Sequence, residues 1–99
     1  MWIQTDGTQP DESNNQMLCA DPATGEIRRF LTGPVDCEVT GVTMTPDNKT
    51  MFINIQHPGD SGPASNPTET STWPDGARAG RPRPATVIIT KDDGGVIGT

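Results

Sequence analysis

Glu38 and His57 are the residues of this chain best equipped for chemistry. A carboxylate is a hard oxygen donor, suited to a hard metal ion. His57 is the only histidine, and an imidazole can ligate a metal, move a proton or contact a phosphate. Glu38 immediately precedes one β-rich run and His57 immediately follows the next. Both therefore sit where a strand end can aim a side chain out of the sheet. Each also has a plainer reading, as a solvated acid beside a strand or as a loop histidine. Glu38 is the metal-ligand candidate; no catalytic residue and no substrate-binding residue is assigned.

Other groups carry weaker signals. Arg78, Arg81 and Arg83 are natural phosphate clamps by type, but three arginines in a Gly/Pro-rich segment are ordinarily solvated. Arg28 and Arg29 alternate on a strand, which sends one to solvent. Asp92-Asp93-Gly94-Gly95 lacks the ligand spacing of a calcium loop and reads as a hairpin turn. Asn48-Lys49-Thr50 has the form of a glycosylation acceptor but falls in a tight turn. Cys19 and Cys37 are the only cysteines, and their spacing fits no zinc motif. They either form one disulfide or pack as small apolar residues. The mid-strand position of Cys19 favours packing, and Cys37 is read as packed rather than as a soft metal ligand.

These residues need strands to position them. Val42 and Met44 alternate with Thr43 and Thr45, and Met51, Ile53 and Ile55 alternate with Phe52, Asn54 and Gln56. Alternation at period two places one set on each face of a pleated strand. Between them, Pro46 pre-sets φ for a type I turn, Asp47 suits the next position, and Asn48 tolerates the left-handed conformation. The hairpin from Val39 to Ile55 has the form of the inner strand pair of a β-propeller blade, where sites commonly line a central channel. Before it, Trp2–Thr5 reads as a strand, Asp6–Asn14 as a polar loop, and Gln16–Ala20 and Glu26–Leu31 as a hairpin. After it, residues 58–84 carry six prolines and four glycines and read as one long irregular loop. Trp73 is the one large aromatic there and is expected to pack. Ala85–Thr90 is a β-branched strand, and Val96–Ile97 is expected to begin a last one. Val87 and Ile89 are expected to present an apolar face separate from that of Met51, Ile53 and Ile55. No segment carries helical periodicity.

Composition agrees with an all-β chain. Of 99 residues only 30% are hydrophobic, while Gly and Pro together number 21, a balance that suits short strands joined by turns. So thin a core gives a single β domain of marginal stability. The net charge is −6, and no basic cluster is interleaved with aromatics, which argues against nucleic acid as a partner. No apolar run reaches the length of a membrane-crossing helix. Met1 leads straight into a strand without a signal peptide, so the chain is expected to be a piece of a longer propeller.

Taken together, WIQTDG at 2–7, NNQMLCADPATGEIRRFLTGP at 14–34, CEVTGVTMTPDNKTMFINIQHPG at 37–59, WPDG at 73–76 and RPRPATVIITKDDGGVIG at 81–98 resemble the carboxy-terminal part of PhoX-type bacterial alkaline phosphatases. The resemblance implies a periplasmic β-propeller that hydrolyses phosphate monoesters with calcium and iron held in its channel. It implies that this chain supplies about one and a half to two blades, with the remaining blades as its partner. Glu38 would then be a channel metal ligand. Most metal ligands would lie elsewhere, so neither tight metal binding nor phosphatase activity is expected of the segment alone. The competing reading is a non-catalytic structural or binding module of propeller type.

Overall fold

The structure, a computed structural model, describes residues 1–8, 13–77 and 80–99. Its strands are β1 (Trp2–Gln4), β2 (Gln16–Ala20), β3 (Ile27–Thr32), β4 (Glu38–Met44), β5 (Thr50–Gln56) and β6 (Ala85–Thr90). The described residues contain no helix. The strands form two antiparallel three-stranded sheets, ordered β1-β2-β3 and β4-β5-β6. The all-β expectation holds, and the two sheets are the partial blades. The expected inner pair is refined: β5 is a central strand between β4 and β6, so of the hairpin only β4 lies at a sheet edge.

Local chemistry explains the β4–β5 turn. The Thr45 N–H donates to the Thr50 carbonyl at 2.9 Å, and the Asn48 N–H to the Thr45 carbonyl at 2.8 Å. Asn48 takes the left-handed conformation, with φ 57°. The Asp47 carboxylate accepts from the Thr45 hydroxyl at 2.6 Å and the Lys49 N–H at 3.1 Å. Those bonds, the Thr45 one foremost, hold Asp47 below the ordinary carboxylate range.

A bulge in β4 then sets which residues face the core. Thr40 pairs with Asn54 and Val42 with Ile53, leaving Gly41 as the extra residue. Its φ is +58°, and a Cβ there would lie 2.8 Å from Asn54 Nδ2. Without the bulge, Val39 and Val42 would face opposite ways. With it, Val39, Val42 and Met44 share a face with Met51, Ile53 and Ile55. Val87 and Ile89 pair with Ile53 and Met51, so they belong to that same face rather than to a separate one. The period-two pattern gives each strand two faces, but only register says which faces coincide.

The core joins the sheets. Met17 of β2 is fully buried with Cys37, Val39, Met51, Ile53 and Ile55. Burying each large side chain contributes about 1.5–3 kcal/mol. Trp2 and Phe30 pack edge to face with ring centroids 4.8 Å apart. Trp73 packs against the core as its isolation in the sequence suggested. Both cysteines are free thiols: Cys37 is buried in this core and Cys19 half-buried. Val96–Ile97 forms no strand among the described residues. Instead the Ile97 N–H donates to the Asn48 carbonyl at 3.0 Å, which seats the buried Ile97 under the hairpin turn. The radius of gyration is 15.0 Å, above the ~13 Å of a compact domain of this length. Two thin sheets side by side, with open outer faces, account for the excess.

Candidate functional site

Opposite the hairpin turn, the other end of the β4–β5 pair opens into a cleft of about 460 Å³ lined by Gly7, Asn15, Asp36, Cys37, Glu38, His57, Asp60 and Ser61 among others. Glu38 opens β4 and pairs in register with Gln56, the last residue of β5. His57 follows directly, and its Nε2 lies 3.3 Å from Glu38 Oε1. The two candidates named from the sequence therefore meet, because an antiparallel hairpin returns its second strand to the start of its first.

A third residue joins them. Asp6, from the loop after β1, shares a hydrogen bond with the Glu38 carboxyl. That bond, with burial and the Asp6 charge behind it, raises the Glu38 carboxyl above the ordinary range, while His57 pulls it back down. With the Asp6 carboxyl beside it, ionising Glu38 is costly, and a cation placed there would relieve that cost. The Nδ1 of His57 is buried and has no hydrogen-bond partner among the described residues.

Backbone conformation is unusual around this cleft. Asp36 has φ 58° and His57 φ 30°, both in a region that side-chain-bearing residues rarely adopt, and such strain gathers at functional sites. Contacts distant in sequence hold it. The Asp36 carboxylate accepts from the Ser61 hydroxyl and from the Ser61 N–H. The Gly59 N–H donates to the Val35 carbonyl at 2.8 Å.

The remaining sequence candidates lie elsewhere. Arg83 is not a free phosphate clamp: its guanidinium pairs with Asp75 at 2.5 Å. Arg81 is exposed, and Arg78 lies outside the described residues. Arg28 pairs with Glu26 at 2.7 Å, and Arg29 donates to Gln16 at 2.7 Å; both are exposed. Asp93 bonds the Gly95 N–H at 2.8 Å and pairs with Lys91 at 3.2 Å, as a turn residue does. Burial pushes the Cys37 thiol up to about 11, which suits a packed residue and not a thiolate ligand.

A family model described as alkaline phosphatase PhoX matches residues 1–59. The chain belongs to the PhoX alkaline phosphatase family. No curated protein matches it. Among solved structures it is similar to Pseudomonas fluorescens PhoX in complex with vanadate, a transition state analogue. The two are 50% identical, with a TM-score of 0.83 over 98% of this chain and 17% of that one. The chain thus spans about a sixth of that PhoX protein's length, and both of its sheets lie within the matched region.

Sequence reading of this PhoX-family chain missed Asp6, Asn15 and Asp36. Asp6 precedes Gly7, and Asp36 follows a Gly-Pro-Val run, so each reads as a turn former. Nothing in their spacing connects residue 6 with residue 38.

Do the residues present fit a metal ion? Asp6 and Glu38 offer hard oxygen donors in contact, with His57 beside them, and that chemistry fits calcium or oxidised iron. Among the described residues, no group of three or more His, Cys, Asp or Glu side chains is arranged to hold an ion. The donors fit as contributors to a site shared with other parts of a longer protein.

Proposed function

We propose that this chain is a segment of a metal-dependent phosphomonoesterase, supplying two partial propeller blades and the Asp6–Glu38 pair to its channel. The observation that carries the reading is the 50% identity to a PhoX protein over nearly the whole chain, joined to the contact of Glu38 with Asp6. The partner is then the rest of the propeller, the substrate class phosphate monoesters, and the compartment the periplasm.

In this reading Glu38, and Asp6 beside it, donate carboxylate oxygens to a hard cation of the calcium or iron type. Such an ion, when bound, polarises phosphoryl oxygens and offsets the charge that develops on them. The chain's own part is to hold the two carboxyls together at the mouth of a sheet edge. His57 orients Glu38 from the other side, its Nε2 3.3 Å from Glu38 Oε1. Packing of Met17, Val39, Met51 and Ile53 behind them keeps β4 from shifting. Alone, two carboxylates do not cage a metal ion, so the segment by itself is inactive.

The test uses both forms. Phosphatase activity is measured on p-nitrophenyl phosphate with calcium and iron supplied. The isolated chain is expected to give no turnover above a Glu38→Ala control, whereas Glu38→Ala in a full-length parent is expected to lower kcat by at least tenfold. Wild-type activity in that full-length variant would overturn the role of Glu38.

A further inference from the structure

The cleft depends on two carboxyls that belong to different sheets: Asp6 follows β1 and Glu38 opens β4. Something must carry the register of one sheet to the other. Few strand-to-strand contacts join the sheets, and the apolar packing that holds β4 from behind makes no directional bond to the loop carrying Asp6.

Asn15 stands at the junction. It is the buried polar residue among the described ones, 7% exposed. Its Oδ1 accepts from the Thr5 hydroxyl at 2.7 Å. Its Nδ2 donates to the Gly7 carbonyl at 2.8 Å and to the Cys37 carbonyl at 2.9 Å. Two partners of Nδ2 are carbonyls, which only accept, so the orientation of the amide is determined. Thr5 and Gly7 flank Asp6, and Cys37 precedes Glu38. One amide therefore brackets Asp6 from both sides and grips the residue before Glu38. The Asn15 backbone carbonyl adds a fourth tie, accepting from the Gly33 N–H at 2.8 Å. Close approach is required there: a Cβ on Gly33 would collide with Cys37 Sγ and sit 3.3 Å from the Asn15 carbonyl oxygen.

We propose that Asn15 is a positioning residue: its side-chain amide locks the Asp6 loop to the start of β4 and so sets the Asp6–Glu38 contact. No other residue type supplies this set of bonds. Aspartate has the shape but puts a carboxylate oxygen against two carbonyls. Alanine takes the donor from the buried Cys37 carbonyl and the acceptor from the Thr5 hydroxyl. Serine reaches one partner at most. The consequence for metal binding rests on the function proposed above; the positioning itself does not.

The experiment is NMR on the labelled 99-residue chain. Wild type is expected to show a nuclear Overhauser effect between the Asp6 β-protons and the Glu38 γ-protons, alongside those between Met17 and Met51. Asn15→Asp is expected to lose the first while keeping the core contacts. Thr5→Val, which removes the donor to Asn15 Oδ1 and with it the acceptor of the Gln16 N–H, is the second variant should Asn15→Asp fail to fold, and it is expected to weaken the same signal. Ile53→Val, a core change of modest cost remote from Asn15, is expected to leave it intact. Absence of the Asp6–Glu38 signal in wild type would overturn the proposal. So would its persistence at wild-type strength in the folded variants. A separate titration with Mn²⁺ reads the function proposed above. Paramagnetic broadening in wild type is expected at both carboxyls together, and the half-saturating Mn²⁺ is expected to rise about tenfold in Asn15→Asp, as for residues that orient metal ligands. Broadening of neither carboxyl in wild type would count against the metal reading while leaving the Overhauser result to judge Asn15.

Discussion

The two ends of the β4–β5 hairpin are built on opposite principles. At the turn, Thr45 to Thr50 are held chiefly by bonds spanning at most five residues, to which the Ile97 N–H adds one distant tie at the Asn48 carbonyl. At the cleft, Glu38 meets Asp6, Asn15 bonds the Cys37 carbonyl just before it, and Ser61 bonds Asp36, each partner lying more than twenty residues away. The turn is therefore a local solution that any copy of Thr-Pro-Asp-Asn would reach. The cleft exists only once both sheets have docked, and its strained backbone at Asp36 and His57 is held by those distant contacts. The difference teaches where functional vulnerability lies: damage to the turn is paid in stability, while damage at the cleft end is paid in geometry.

That contrast can be tested from the largest expected effect downward. Met51→Ala removes a fully buried side chain of the core that both sheets share and should cost about 2–5 kcal/mol, read by urea denaturation. A loss under half a kilocalorie would mean the two sheets are not packed through it. Gly59→Ala strikes the cleft end alone. Gly59 has φ +69°, and a Cβ would lie 2.9 Å from Ser71 Cβ and 3.0 Å from Pro82 Cγ. Overpacking of about 1–3 kcal/mol is expected, together with altered chemical shifts at His57. Shifts confined to residues 70–82 would separate this loop from the cleft.

At the turn, Asn48→Ala asks a residue with a Cβ and no polar group to hold φ 57°. A loss of about 1 kcal/mol is expected, with no change at Glu38 or Asp6. Any cleft perturbation would show that the ends are coupled and break the comparison.

A pH experiment isolates the cleft further. The folded state binds the Glu38 proton more tightly than the unfolded state, because Glu38 is raised by its bond to Asp6. Between the ordinary glutamate range and the raised value, the native state holds more protons. Stability from this group is thus fullest below that window and declines as pH rises through it. Glu38→Gln abolishes the titration. With metal chelated, the melting temperature of the variant should gain on wild type as pH rises through the window, and a constant difference would contradict the Asp6 contact. The smallest effect concerns the thiols. At pH 8 a thiol reagent should modify half-buried Cys19 first and reach Cys37 only on unfolding, given its burial and a thiol near 11. Equal rates would mean the core under the cleft opens readily.

Legibility in the sequence follows the same divide. β2 and β6 are found at the residues that alternation and β-branching mark out, Gln16–Ala20 and Ala85–Thr90. The turn at Asn48 and the packing of Trp73 were equally readable. The Gly41 bulge was not, since glycine in a strand pattern fits several irregularities. Nor was the sharing of one face by Val87 and Ile53, or the seating of Ile97 beneath the turn in place of a strand. Each of these depends on a neighbour that is distant along the chain.

By itself, then, the sequence determined the class of fold, the strands, the tight turn and the family, because these rest on local periodicity, local hydrogen bonding and shared residue strings. It also placed Glu38 and His57 at strand ends, from which antiparallel pairing brings them together. Tertiary structure alone decided that Asp6 meets Glu38, that Asn15 spans the junction between the sheets, and that Arg83 is held by Asp75. The physical reason is one of range. A strand's pattern is imposed by its own residues on a two-residue period, whereas a cleft between sheets is defined by which loops arrive at the same place, and that is settled only when burial of Met17 against Met51 and Ile53 joins one sheet to the other.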